Sequence, residues 1–186
     1  MPSKGVRISG GTARGIPLTE PRGVRLRPTS GLVREAIFNI LGEHTENATV
    51  LDLFAGTGAL GIEALSRGAA HATFYEAEAG AITAILASLA RTKLADNAKV
   101  VRGRLPAALG AVQERFSLIF MDPPYGDDSA EPTLMVVDRL LSEGGIVVYE
   151  HASRYNPPER PARLRQTERR VYGDTAIALY TLQEGE

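Results

Sequence analysis

The chain has 186 residues, 44% of them hydrophobic, and a net charge of −1, which suits one domain with a sizeable core and a short extension. It contains no cysteine, so disulfides, thiolate metal sites and a cysteine nucleophile are excluded. The charge is unevenly spread: residues 1–35 hold seven basic and two acidic side chains, net +5, leaving −6 for the rest, the asymmetry of a polyanion binder with a basic arm or, equally, of a solvated tail.

Residues 1–7 carry no apolar signal core, and no run approaches membrane-spanning length. A cytoplasmic protein without membrane contact is expected. Residues 5–27 mix β-prone pieces with Gly10, Gly11, Gly15, Pro17, Pro21 and Gly23, which reads as a hairpin or a loose arm; residues 1–28 are assigned to this basic extension. Pro28-Thr29-Ser30 is a helix-start signal, with Thr29 or Ser30 as the N-cap. Leu32, Val33, Ala36, Ile37, Ile40 and Leu41 then recur at helical spacing, so the pattern predicts an amphipathic helix over 30–42. This helix opens the domain assigned to residues 29–186 and belongs to its substrate-side extension.

From residue 48 short apolar runs alternate with helical stretches. Strands are predicted at 49–53, 72–76, 98–101, 116–121 and 145–150, and helices at 58–67, 79–92, 104–110 and 130–141. Ile82, Ile85, Leu86 and Leu89 are read as the buried stripe of the helix over 79–92. Such alternation predicts an α/β fold, a parallel sheet with helices on both faces. Near the end, Arg169-Arg170-Val171-Tyr172 and Ala176-Ile177-Ala178-Leu179-Tyr180 flank Gly173-Asp174-Thr175 with no room for a helix, so an antiparallel hairpin is expected.

Two motifs carry the chemistry. Gly56-Thr57-Gly58-Ala59-Leu60-Gly61 follows the first strand and opens a helix, the context in which a G-x-G-x-x-G pattern binds a nucleotide-like cofactor. Glu76 ends the next strand, where a carboxylate can accept hydrogen bonds from ribose hydroxyls. Asp52 separates two cofactors: a carboxylate there repels a pyrophosphate but can meet the ammonium of S-adenosyl-L-methionine. The second motif, Asp122-Pro123-Pro124-Tyr125, follows an apolar strand. The prolines remove two backbone donors. Asp122 and the Pro123 carbonyl can then accept both N–H bonds of an exocyclic amine, and Tyr125 offers a stacking face. The lone pair of such an amine is delocalised into its ring. Two in-plane acceptors hold it and stabilise the positive charge that develops on nitrogen. Positioning in line with the methyl supplies the rest, without metal or covalent nucleophile. His44, His71 and His151 are too scattered to suggest a metal; His151, beside a strand end, is kept as a substrate contact.

At these residues the chain resembles class I Rossmann-like methyltransferases with a D/N-P-P-Y/F motif. Arg27-Pro28-Thr29-Ser30 with Val33-Arg34-Glu35-Ala36-Ile37-Phe38-Asn39-Ile40-Leu41, the stretch from Val50 to Gly68, and Val171-Tyr172-Gly173-Asp174-Thr175 are similar to the RsmD family, bacterial 16S rRNA guanine-N2 methyltransferases. The resemblance spans nearly the whole chain. It implies a mostly parallel seven-stranded sheet closed by the hairpin, cofactor contacts from Asp52, Phe54, Gly56, Gly58, Glu76 and Ala77, and Asp122, Pro123, Pro124 and Tyr125 around the amine. Related enzymes often place an acidic or amide side chain after the third strand; here Val101-Arg102-Gly103-Arg104-Leu105 stands there, so adenine is expected to meet backbone near Arg104 and the side chain of Leu105. The implied partner is 16S rRNA within an assembling 30S particle, at guanine(966)-N(2), met by a monomer.

The target nitrogen is inaccessible inside a stacked helix, so a loop base or an extruded one is expected. Arg14, Arg25, Arg27, Thr29 and Arg34 are the candidate RNA contacts. The arginines between 154 and 170 are read instead as an exposed surface. The amine geometry alone would equally serve a DNA adenine-N6 or cytosine-N4 methyltransferase. A non-catalytic RNA-binding protein and, from the glycine pattern only, a dinucleotide oxidoreductase are the other readings.

Overall fold

After residue 48 seven strands join in one sheet: β1 Thr49–Leu53, β2 His71–Glu76, β3 Ala98–Arg102, β4 Phe116–Met121, β5 Leu141–Ala152, β6 Leu164–Tyr172 and β7 Thr175–Leu182. The structure, a computed structural model, describes residues 5–21 and 30–183. The helices are α1 Gly31–Leu41, α2 Ala59–Ser66, α3 Ala79–Thr92 and α4 Ala130–Leu134. Sheet order is β3-β2-β1-β4-β5-β7-β6. The first five strands run parallel, and β7 lies antiparallel to both β5 and β6. The chain winds outward in opposite directions from β1 and β4, which opens a crevice at the carboxyl ends of these two neighbours.

Alternation along the strands builds two cores. Val50, Leu118, Phe120 and Val148 face the layer of α1, α2 and α3. Leu51, Leu53, Ile119, Met121 and Val147 face the opposite layer, with Leu134 of α4. No helix of the described residues is long and apolar enough to cross a membrane.

Residues 5–21 form a hairpin-like hook, not a loose arm. Arg7 bridges Pro17, Gly15 N–H donates to the Ile8 carbonyl at 2.8 Å, and Ile8, Ala13 and Leu18 are buried in the core. Gly11 (φ +76°) is pressed so closely on α2 that a Cβ there would stand 1.8 Å from the Ser66 carbonyl oxygen. Helix α1 starts where expected, its N-cap Ser30 accepting from Val33 N–H at 3.2 Å.

Three expectations are corrected. The stretch 104–110 is no helix: only a single 3-10 turn, Ala107–Leu109, forms, because a residue preceding proline, here Leu105 before Pro106, avoids the helical region. The stretch 130–141 breaks after Leu134 into a 3-10 turn, Val137–Leu140. Leu141 is taken instead into β5, where it pairs with Phe116; pairing then lapses and resumes at Leu118 with Ile146, which is why the early part of β5 reads as helix end and turn. On α3 the buried stripe is Ala81, Ala84, Ile85, Ser88 and Leu89, whereas Leu86 is 53% exposed. It sits one residue, about 100° of helix, past Ile85.

Candidate active site

The two motifs meet because their strands are neighbours. Leu53 pairs with Met121, so Phe54 and Asp122 leave the sheet side by side. A cavity of about 570 Å³ opens there, lined from one side by Asp52, Phe54, Gly56 and Glu76 and from the other by Asp122, Pro123, Pro124 and Tyr125. Ala77, Arg104 and Leu105 also line it. Gly58 does not; it lies behind the turn as the N-cap of α2.

Sharp backbone turns shape this wall. Gly56 and Gly58 take φ of +56° and +74°, and so does a bulky residue, Phe54, at +58°. A left-handed Phe is rare and costs free energy that its surroundings must offset. The surroundings do so: Ala55 N–H donates to the Tyr75 carbonyl at 3.1 Å, and Gly56 N–H donates to Glu76 Oε2 at 2.8 Å. Glu76 Oε1 also accepts from Ala77 and Glu78 N–H. A carboxylate has about four acceptor positions, so three backbone bonds orient Glu76 and leave capacity toward the cavity.

Gly61 works differently. A Cβ there would meet Phe74 Cε1 at 2.3 Å and Asp52 Oδ2 at 2.9 Å. The missing side chain lets α2 lie against the sheet, and Gly61 N–H donates to Asp52 Oδ2 at 2.9 Å. Asp52 is only 1% exposed. Burial raises its carboxyl well above the usual value; the Gly61 bond opposes this, and the charges of Asp122 and Glu76 add to it.

The electrostatic character is one-sided. Glu76, Glu78, Asp122, Asp127 and Glu150 line the cavity, with Asp52 behind them held toward its neutral form by burial, against one guanidinium, Arg104, among the described residues. A unit charge 4 Å from another is worth about 4 kcal/mol at an effective dielectric of 20. This lining therefore favours a cationic guest and opposes a pyrophosphate.

On the other wall, the Tyr125 hydroxyl lies 2.7 Å from Thr175 Oγ1. Thr175 opens β7 just after the hairpin turn, so the Gly173-Asp174-Thr175 motif steadies the loop. Asp127, Glu150, Tyr75 and Gly103 line the cavity without having been singled out. Glu150 and Tyr75 sit at strand ends, a signal that could have found them; the others depend on loop paths that no local pattern specifies.

The expected RNA contacts divide. Arg25, Arg27 and Thr29 lie outside the described residues. Arg14 is exposed in the hook's turn, away from the cavity lining. Arg34 is a correction: it is 3% exposed, and its Nε donates to Glu63 Oε2 at 2.8 Å. Helical periodicity turns it inward, and the fully buried Glu63 claims its charge. Among the described residues no group of three or more His, Asp or Glu side chains is arranged to hold a metal ion.

Residues 6–181 match the family described as Conserved hypothetical protein 95. The YlbH protein of Bacillus subtilis, provisionally named an rRNA methyltransferase, is 37% identical over 180 residues, covering 94% of this chain and 98% of that protein. Ribosomal RNA small subunit methyltransferase D of Escherichia coli K12 is 36% identical over 177 residues, covering 94% and 89%. A solved Escherichia coli structure, yhhF, provisionally named a methyltransferase, superposes with a TM-score of 0.85 at 33% identity over 96% of this chain and 98% of that one.

Proposed function

Because this chain belongs to the Conserved hypothetical protein 95 family, the RsmD family of rRNA methyltransferases, we propose that it transfers a methyl group from S-adenosyl-L-methionine to the exocyclic N2 of a guanine in 16S rRNA, guanine(966) by resemblance. The observation that carries the reading is the shared cavity: one wall turns on glycines and carboxylates, the other is the Asp122-Pro123-Pro124-Tyr125 loop. Phe54, Gly56, Glu76 and Ala77 would bind the cofactor's amino-acid and ribose parts, Arg104 and Leu105 its adenine. The acidic lining suits a guest whose sulfonium and ammonium outweigh its carboxylate. S-adenosyl-L-methionine brings an electrophilic methyl; the chain's own residues hold the acceptor.

Asp122 and the Pro123 carbonyl accept the two N–H bonds of the amine. As nitrogen attacks, positive charge grows there, and two preoriented acceptors stabilise it more than they stabilise the flat ground state. The excess proton leaves through Asp122 or water. Tyr125 stacks on the ring, worth roughly 1–3 kcal/mol. The substrate is taken to be an assembling 30S particle, and the enzyme a cytoplasmic monomer. Radiolabelled S-adenosyl-L-methionine should label 16S rRNA, supplied as 30S particles from cells lacking the protein, at one guanine and leave naked DNA unlabelled. Asp122→Ala should lower turnover ~100-fold or more and weaken cofactor binding far less than it weakens turnover. Labelling of DNA alone, or full turnover by the variant, would overturn the reading.

A further inference from the structure

Tyr125 adjoins two open spaces. It lines the first cavity and also a second, of about 460 Å³, which shares Pro123, Pro124 and Asp127 with the first. The residue is 38% exposed. Packing therefore holds its ring less tightly than it holds a side chain of the close-packed core. The backbone beneath is a turn: Asp127 N–H donates to the Pro124 carbonyl at 3.1 Å, and Gly126 takes φ of +80°. A turn fixes where the side chain starts. It does not choose among the rotamers that the side chain can adopt.

The far end of the ring meets a fixed point. The Tyr125 hydroxyl lies 2.7 Å from Thr175 Oγ1. Thr175 is 7% exposed, and the sheet sets its place from both sides, because it pairs with Ala152 of β5 and with Tyr172 of β6. The turn before it is pinned as well: Ser153 N–H donates to the Asp174 carbonyl at 2.8 Å. A β-branched threonine is also stiff at χ1. The sheet thus presents a hydroxyl at a defined point, and a hydrogen bond at the tip of the ring constrains both of its torsions. Thr175 itself lines neither cavity.

We propose that Thr175 is a positioning residue for methyl transfer. Through the Tyr125 hydroxyl it sets the plane of the ring on which the target base stacks, and so the line from the amine nitrogen to the methyl carbon. Its effect is on the reaction because the nitrogen must meet the methyl in line, and a misplacement of about 1 Å can cost about 100-fold in rate. The inference rests on the rRNA reading above. It gives the Val171-Tyr172-Gly173-Asp174-Thr175 motif a part in the chemistry of a loop fifty positions away.

The test is single-turnover methyl transfer to 30S particles from cells lacking the protein, at saturating S-adenosyl-L-methionine. Thr175→Val keeps the β-branched shape and removes the hydroxyl. It should slow transfer roughly tenfold, the worth of one hydrogen bond, with cofactor affinity unchanged, and Thr175→Ser should recover most of the rate. Tyr125→Phe removes the other half of the pair and should lose as much. The double variant Tyr125→Phe/Thr175→Val should be no slower than either single one, the signature of one shared interaction. A threonine that only supports the sheet would give losses that multiply. Multiplying losses overturn the proposal, as does a wild-type rate in a folded Thr175→Val protein. A wild-type rate in Tyr125→Phe overturns it whether or not the threonine variant folds. Absence of rRNA methylation by the wild-type protein would sink the reading of the first cavity and this proposal with it, whereas variants that match an active wild type sink this proposal alone.

Discussion

At the scale of single residues, the glycine loop shows three glycines doing different work. Gly56 and Gly58 supply left-handed turns, whereas Gly61 supplies an absence, the space into which Phe74 and Asp52 fit. Phe74 is wholly buried and cannot swing away. Gly61→Ala should therefore cost about 1–3 kcal/mol through overpacking, read as a lower urea midpoint, and should loosen the turn that lines the cofactor cavity. The spacing of the three was legible in the sequence; their division of labour was not. Arg34 is the converse case. As a residue type beside a basic segment it reads as a phosphate contact, but its partner Glu63 stands twenty-nine positions away on another helix.

At the scale of elements, Glu63 ties three pieces together. From α2 it accepts the Ser9 backbone N–H and hydroxyl from the hook, Arg34 of α1, and Arg67 one turn further along α2. Burial alone would raise its carboxyl, yet the Ser9 bonds, the Arg34 charge and the Arg67 bond together hold it below the usual range. In sequence, Glu63 and Arg67 look like an ordinary exposed i,i+4 pair. Because Glu63 is buried together with Arg34, removing it strands the charge of Arg34. Glu63→Ala should destabilise by about 3–5 kcal/mol, whereas Glu63→Leu with Arg34→Met should cost less than the single change, as urea unfolding of the two proteins would reveal. Element type and order were legible from periodicity for β1, β4 and α3. The failures, at 104–110 and after Leu134, lie where a proline or a strand partner overrides local apolar spacing.

At the scale of the whole molecule, two buried carboxylates in different places, Asp52 and Glu63, make stability depend on pH in opposing ways. Asp52 has a raised pKa, so the folded state holds its proton longer than the unfolded chain does. Its contribution is greatest below the ordinary carboxylate range and is lost as pH rises from about 4 through the folded value. Glu63, held low, contributes above that range and loses its contribution as pH falls through its folded value. Asp52→Asn removes the first effect only. Its stability relative to wild type should rise as the pH of urea titrations is raised from about 4, while affinity for S-adenosyl-L-methionine falls, a stability gained at the expense of a strained site. What the sequence by itself determined was a set of elements, their order, and two motifs whose chemistry was readable from residue types and close spacing. Only the tertiary structure decided that β1 and β4 lie side by side, that six carboxylates share one cavity with a single arginine among the described residues, that Arg34 turns inward, and that Tyr125 leans on Thr175. Local periodicity says which face of an element is apolar; which distant neighbour covers that face is settled by sheet order and packing, and those are properties of the assembled chain.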